Sequence, residues 1–344
     1  MTRGFGRLRG AASRLRYRLR PKALILAYHR VADLATDPFQ LAVTPGHFAE
    51  HLEALRKHAS PVSLRQLTRA LGDGRVPRRA VVVTFDDGYA DNLHAALPLL
   101  ERHEIQATVF IASGYVGRSG EFWWDELERL VLCPVELPGL LRLRIGEETH
   151  LLELGDGSRY PEGDRQARGT WRYSEEGPHH PRHRLFCSLY KILLELAADA
   201  REGAMRQLSA WARSERTARD EYRVLSEGEL VRLGGSQLIE IGGHTHNHPK
   251  LSALSGRAQR EEIRGGKLQL ESILGRAVVQ FSYPYGSYTD QTVAEVRDAG
   301  FESACTTGAM VVSGREDPYL LPRIYPDDWD GEEFSRLLLD RLRF

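Results

Sequence analysis

Two adjacent carboxylates, Asp86 and Asp87, end the apolar run VVVTF and are followed by Gly88. Two carboxylates this close repel one another, and a low-dielectric strand end penalises both. A divalent cation on one relieves that cost and leaves the other free as a base. The same three residues are also ordinary turn chemistry, with glycine supplying a positive φ. Much further along, IEIGGHTHNHPKLSAL (239–254) sets His244, His246 and His248 at alternate positions. A helical turn would put His244 and His248 on one face, whereas an extended segment would make His246 a rival ligand. The double glycine before His244 and Pro249 after the cluster indicate a turning loop, which favours the His244/His248 pair. One carboxylate, two imidazoles and open positions for water make a hydrolytic metal site. A solvated loop rich in imidazole is the bland alternative.

Such residues need elements to bring them together. Short apolar, β-branched runs recur at 22–31, 79–91, 105–117, 237–248, 277–288 and 301–308, each breaking into a polar or glycine-containing loop. Continuous rather than alternating apolar runs describe strands buried on both faces. Between them, helical spacing appears at 44–59, 91–104, 252–275 and 290–300. Strand and helix in alternation imply a parallel sheet, open or closed into a barrel. Reactive groups collect at the carboxyl edge of such sheets, where the polar motifs fall. Residues from about 118 to 235 break the rhythm with an amphipathic helix (EFWWDELERLVL), a long Gly/Pro-rich loop and further helix. They are expected to form an insertion, as a lid, within a single domain spanning 23–344.

TFDDG, HTHNHP and YPYG, in this order at strand ends, resemble the polysaccharide deacetylase family, also called the NodB homology domain or carbohydrate esterase family 4, over roughly residues 79–325. The resemblance implies an α/β fold, a distorted (β/α)7 TIM-like barrel. It also implies a divalent metal, zinc first, with cobalt, nickel or manganese as alternatives. Asp86 would be the catalytic base, and Asp87, His244 and His248 the metal ligands. Tyr285, in the third motif, would line the groove and offer its backbone N–H to the oxyanion; packing aromatics are the lesser alternative for Tyr283 and Tyr285.

The sequence departs from the family pattern in three places. An arginine that orients the base usually precedes the Pro-Tyr, where Ser282 and Tyr283 stand here. The family's Asp-and-Trp element is not evident where expected. The Leu-x-His that supplies the general acid has no counterpart, because no histidine follows His248. Arg323, in LPRI, occupies that place and is expected at the substrate face. His29, at the end of the first strand, is the first substitute acid and equally a structural histidine. The activity implied is removal of N-acetyl groups, or less readily O-acetyl groups, from a polysaccharide or lipid-linked glycan precursor in cell-surface glycan metabolism. A silent carbohydrate-binding module or a glycan-assembly scaffold on the same fold is the rival.

Composition narrows the setting. The 344 residues, 42% hydrophobic and 27% charged, suit a globular chain rather than a disordered one. Three scattered cysteines argue against a disulfide framework. Net charge is zero, yet residues 1–22 hold eight of the 47 basic residues and no acid. Phe5, Leu8, Ala12, Leu15 and Leu19 form one helical stripe there, so this basic amphipathic segment is expected to touch an anionic membrane, or else to fray as a tail. The remainder is acidic and shows no second basic patch, which argues against nucleic acid. The absence of a signal-peptide pattern or a bilayer-length apolar run leads to an expected cytoplasmic location, peripheral to the inner membrane face if the stripe binds.

Overall fold

The structure, a computed structural model, describes residues 22–160, 171–173, 180–314 and 316–342. The basic segment expected at 1–22 lies outside these residues except for Lys22.

The apolar runs become strands. β1 (Ala23–Tyr28) is buried at every position. Two-residue strands β2 (Arg30–Val31) and β3 (Ala42–Val43) pair with each other, and β4 (Ser60–Pro61) pairs the start of β5 (Ala80–Phe85), also wholly buried. The parallel sheet continues through β6 (Ala107–Ile111), across the insertion with its hairpin β7 (Leu140–Ile145) and β8 (Glu148–Glu153), to β9 (Ile239–Gly243), β10 (Gln280–Ser282) and β11 (Ser303–Cys305). Its order is β1-β5-β6-β9-β10-β11, all pairs parallel. Complete burial of β1 and β5 explains their uninterrupted hydrophobicity.

The two edges of this curled sheet are joined by one segment. Leu321 bridges Cys305, and Ile324 bridges Leu26. The Ala27 N–H donates to the Ile324 carbonyl at 2.8 Å, and the Leu321 N–H to the Ala304 carbonyl at 3.0 Å. Residues 321–324 thus complete a distorted (β/α) barrel, as expected from the sequence, and carry Arg323 into its interior.

Helix α1 (Pro45–His58) is capped by Thr44, whose side chain accepts from the His47 N–H. It lays Phe48, Leu52 and Leu55 on the strands together with Phe334 and Leu338 of the C-terminal helix, 331–341. Helix α2 (Leu64–Gly72) starts on a Ser63/Gln66 capping box, and α3 (Leu97–His103) follows a π turn at 92–96. The insertion builds a second core from α4 (Trp123–Val131), the β7–β8 hairpin, α5 (Pro181–Leu194) and α6 (Ala198–Ala212). The hairpin departs from the expected helix-loop-helix: Leu141 and Leu143 point inward and Leu140, Arg142 and Arg144 outward, a period-two pattern, with Gly146 at φ 60° in the turn. The insertion also ends earlier than 235. α7 (Glu227–Gly235) opens on a Ser226/Glu229 capping box, and its Leu230 and Leu233 belong to the barrel core. α8 (Gly256–Leu274) and α9 (Asp290–Asp298) complete the outer layer. Among the described residues, no helix is long and apolar enough to cross a membrane.

His51 of α1 is buried against this barrel. Its Nε2 lies 2.7 Å from the Trp329 carbonyl, its Nδ1 3.2 Å from Tyr28 Oη, and its ring stacks on Phe334. Burial pushes its pKa down to about 4, against the opposing bond to Trp329. A folded-state value below the unfolded 6.5 means that its contribution is intact above pH 6.5 and is lost as pH falls toward 4. The loss from this group is at most about 3 kcal/mol. Chemical denaturation of the wild type and His51→Gln between pH 7.5 and 4.5 should show their stability difference shrinking as pH drops; parallel pH profiles would contradict it.

Candidate active site at the carboxyl edge of the barrel

The Asp86 N–H still bonds the Tyr28 carbonyl, at 2.9 Å, so this residue prolongs β5. The chain then turns with Asp87 at φ 74° and Gly88 at φ 93°. At this φ a side chain would be strained, and its Cβ would press on Ile111 Cδ1 of the next strand at 2.8 Å, so the turn favours glycine there. The Asp86 carboxylate meets the Arg323 guanidinium as a two-point fork: Nη1 to Oδ1 at 2.7 Å and Nη2 to Oδ2 at 2.6 Å. The same guanidinium donates to Thr84 Oγ1, Ser282 Oγ and the Thr306 carbonyl, at 3.1, 2.8 and 3.1 Å. Burial alone would raise the pKa of Asp86, but the charge of Arg323 and its hydrogen bonds outweigh it and hold the carboxyl well below its usual range.

This placement corrects the expectation for Arg323. It is 0% exposed, does not line the cavity, and stands behind Asp86 rather than at the substrate face. It makes the contact with Asp86 that the missing arginine of the third motif was expected to make, from the segment beyond β11, while Ser282 at the motif position supplies an oxygen to the same guanidinium.

Asp87 faces the histidines. Its Oδ1 lies 3.3 Å from His248 Nε2 and 3.6 Å from His244 Nε2, and the two imidazole nitrogens are 3.2 Å apart. All three residues are buried. His244 Nδ1 sits 2.7 Å from the Ser282 carbonyl, which can only accept. The proton is therefore on Nδ1, and a lone pair on Nε2 points at Asp87. Asp87 Oδ1 is buried without a hydrogen-bond partner. Burial lowers the pKa of both imidazoles and raises that of Asp87, which Asp86 raises further. A buried oxygen with no proton donor, beside converging imidazole nitrogens, is a donor set suited to a divalent cation.

The loop that aims the histidines is neither a helical turn nor an extended strand. Thr245 and His248 have φ of 64° and 53°, and Thr245 Oγ1 accepts the His248 N–H at 3.0 Å. The Glu262 carboxylate on α8 takes the N–H groups of His246 and Asn247 at 3.1 and 2.7 Å. α8 can come this close because a Cβ on Gly266 would lie 2.7 Å from the Thr245 carbonyl. His246 turns away, its Nδ1 3.1 Å from Ser113 Oγ. The His244/His248 pair thus converges without the helix that would have explained it.

A cavity of about 310 Å³ opens over Asp86, Asp87, His244 and His248. His29 is on its wall, so the structure brings this residue to the site. Burial pushes its pKa down to about 4 despite the attraction of Asp86, leaving a neutral imidazole at pH 7. Tyr285 is present as well, at φ 57°, with its ring 4.7 Å from that of His248. Trp124 and Tyr325 are among the wall residues that were not anticipated. Trp124, from the insertion, packs 5.0 Å from the His248 ring, and its Nε1 donates to Tyr89 Oη, which donates to Asp125. Tyr325 stacks on His29 at 5.7 Å. Its spacing of two from Arg323 in a strand-like segment was the available signal.

A family profile described as polysaccharide deacetylase matches residues 73–137 and 213–304, on either side of most of the insertion. The chain belongs to the polysaccharide deacetylase family. It is thus a hydrolase of the class that acts on carbon–nitrogen bonds. The Bacillus subtilis protein YxkH, named as a polysaccharide deacetylase, is 25% identical over 88% of this chain and 71% of its own length. The poly-β-1,6-N-acetyl-D-glucosamine N-deacetylase of Staphylococcus aureus is 27% identical over 150 residues, 40% of this chain and 50% of that protein. This chain therefore spans about half the length of the staphylococcal relative. In fold it is similar to the Streptococcus pyogenes deacetylase PplD solved with acetate, with a TM-score of 0.57, 17% identity and coverage of 94% and 99% of the two chains.

Two outcomes follow from this family member's site. Calorimetric titration with Zn²⁺ should give one ion per chain, lost in His244→Ala and His248→Ala and retained in His246→Ala; loss in His246→Ala alone would contradict the ligand set. Removing Arg323 leaves a buried, unpaired carboxylate, so Arg323→Met should cost about 3–5 kcal/mol of unfolding free energy. Adding Asp86→Asn to that variant should recover part of the loss, and strict additivity of the two would contradict the pairing.

Proposed function

We propose that the protein is a metal-dependent N-deacetylase of an acetylated hexosamine glycan. The observation that carries the reading is a carboxylate held ionised by a buried guanidinium in the same cavity as a separate Asp-His-His donor set. Structure alone does not require Asp86 to be both buried and charged, whereas a base does. A divalent ion held by Asp87, His244 and His248 would supply a Lewis acid and lower the pKa of bound water to about 7. Asp86 accepts the proton that water loses as it attacks the acetyl carbonyl. Arg323 keeps that carboxylate oriented and unprotonated until then. Tyr285 lines the reacting centre, its backbone N–H offered to the oxygen that gains charge, a contact of a kind worth about 3 kcal/mol. Trp124 and Tyr190 provide apolar walls for a sugar ring.

The substrate part of the proposal rests on the staphylococcal relative, whose name specifies poly-β-1,6-N-acetyl-D-glucosamine. Contact of residues 1–22 with an anionic membrane, and with it a cytoplasmic, lipid-linked substrate, belongs to the same proposal and rests on their charge and stripe. Acetate release from N-acetylglucosamine oligomers and from lipid-linked N-acetylhexosamine is the direct assay. Asp86→Asn should lower turnover at least about 10²-fold while the bound ion remains. Near-normal turnover would remove Asp86 from the reaction, and loss of the ion with the activity would make it a ligand.

A further inference from the structure

Breaking an amide C–N bond requires a proton on the departing nitrogen. The cavity holds few groups able to give one. Both oxygens of Asp86 accept from the Arg323 fork, His29 is a neutral imidazole, and Asp87, His244 and His248 are directed at one another. Of the remaining proton-bearing side chains on its wall, the Trp124 indole N–H already donates to Tyr89 and the Thr307 hydroxyl is a far weaker acid than a phenol, which leaves Tyr190, Tyr283, Tyr285 and Tyr325.

Tyr325 is distinguished by its partner. Arg323 Nη2 lies 3.3 Å from Tyr325 Oη and 2.6 Å from Asp86 Oδ2, so one nitrogen links the phenol to the base. A guanidinium only donates, so the phenol oxygen is the acceptor of that bond and its own proton is left for another group. No protein acceptor takes it among the described residues. Tyr283 Oη and Tyr285 Oη, by contrast, are buried without a polar partner that could bear a phenolate charge. Stacking on His29 fixes the Tyr325 ring from its other side.

We propose that Tyr325 is the proton donor to the leaving nitrogen, an assignment that rests on the deacetylase reading above. As the C–N bond breaks, its electron pair goes to nitrogen, which takes the proton from Tyr325 Oη. The resulting phenolate is next to the Arg323 guanidinium. Asp86, protonated by the attacking water, then returns that proton to Tyr325. Water and amide become carboxylic acid and amine, and both side chains end as they began. Burial raises the phenol's pKa to about 12 while Arg323 opposes the rise, so the proton is in place at pH 7.

The test compares leaving groups. The zinc-loaded full chain and its Tyr325→Phe variant are assayed on N-acetylglucosamine oligomers and on 4-nitrophenyl acetate, whose leaving group departs without a proton. Tyr325→Phe should lower kcat on the amide by about 10²-fold or more with KM little changed. Its turnover of the aryl ester should stay within a small factor of wild type, which also shows that the fold is intact. Unchanged amide turnover, or equal loss on amide and ester, would overturn the assignment. A wild type that cleaves the ester but releases no acetate from any N-acetylated sugar would instead overturn the deacetylase reading, and this assignment with it.

Discussion

The buried pair of Arg323 and Asp86 is the interaction on which the rest of the site depends. An isolated carboxylate at this depth would take up a proton and cease to be a base. An isolated guanidinium could not be buried at all without acceptors for its five N–H groups. Here every branch of Arg323 has an acceptor, contributed by β5, the end of β10, the residue after β11 and Tyr325. Pairs of this kind often add little net stability compared with apolar residues of similar size. Their presence is better explained by chemistry than by folding.

The barrel's construction follows from the same pair. Residues 321–324 join the two edges of the sheet and deliver the guanidinium to the interior. Ser282 then serves both halves of the site: its hydroxyl accepts from Arg323, and its carbonyl fixes the His244 tautomer that turns a lone pair toward Asp87. The Asp86–Arg323 pair and the Asp87–His244–His248 cluster are therefore tied together by one residue at the end of β10. The insertion adds Trp124 to the cavity wall beside His248, anchored through Tyr89 and Asp125.

Much of this was legible in the sequence where the signal is local. Uninterrupted apolar runs pointed to the strands, and the paired aspartates with the His244/His248 spacing pointed to residues that the fold does bring together. The selection of His248 over His246 was legible only in part, because Glu262 on α8 shapes the loop from well outside it. Arg323 was seen but misplaced: its partner Asp86 is 237 residues away, and only closure of the barrel brings the two together. Tyr325 was hidden for the same reason. The β7–β8 hairpin was passed over because its alternation is short and lies between stronger helical patterns. The break at Ser226 was missed because α7 reads like the insertion helices until its apolar face is seen to lie on the barrel.

The central claim is that a single cation held by Asp87, His244 and His248 acts with the clamped Asp86 in one hydrolytic centre. It is tested most directly by titrating chelator-stripped protein with Zn²⁺ or Co²⁺ while following acetate release from N-acetylglucosamine oligomers. Activity should rise in proportion to added metal and break at one equivalent per chain. Full acetate release from the stripped protein, or a rise that continues well past one equivalent, would contradict the account.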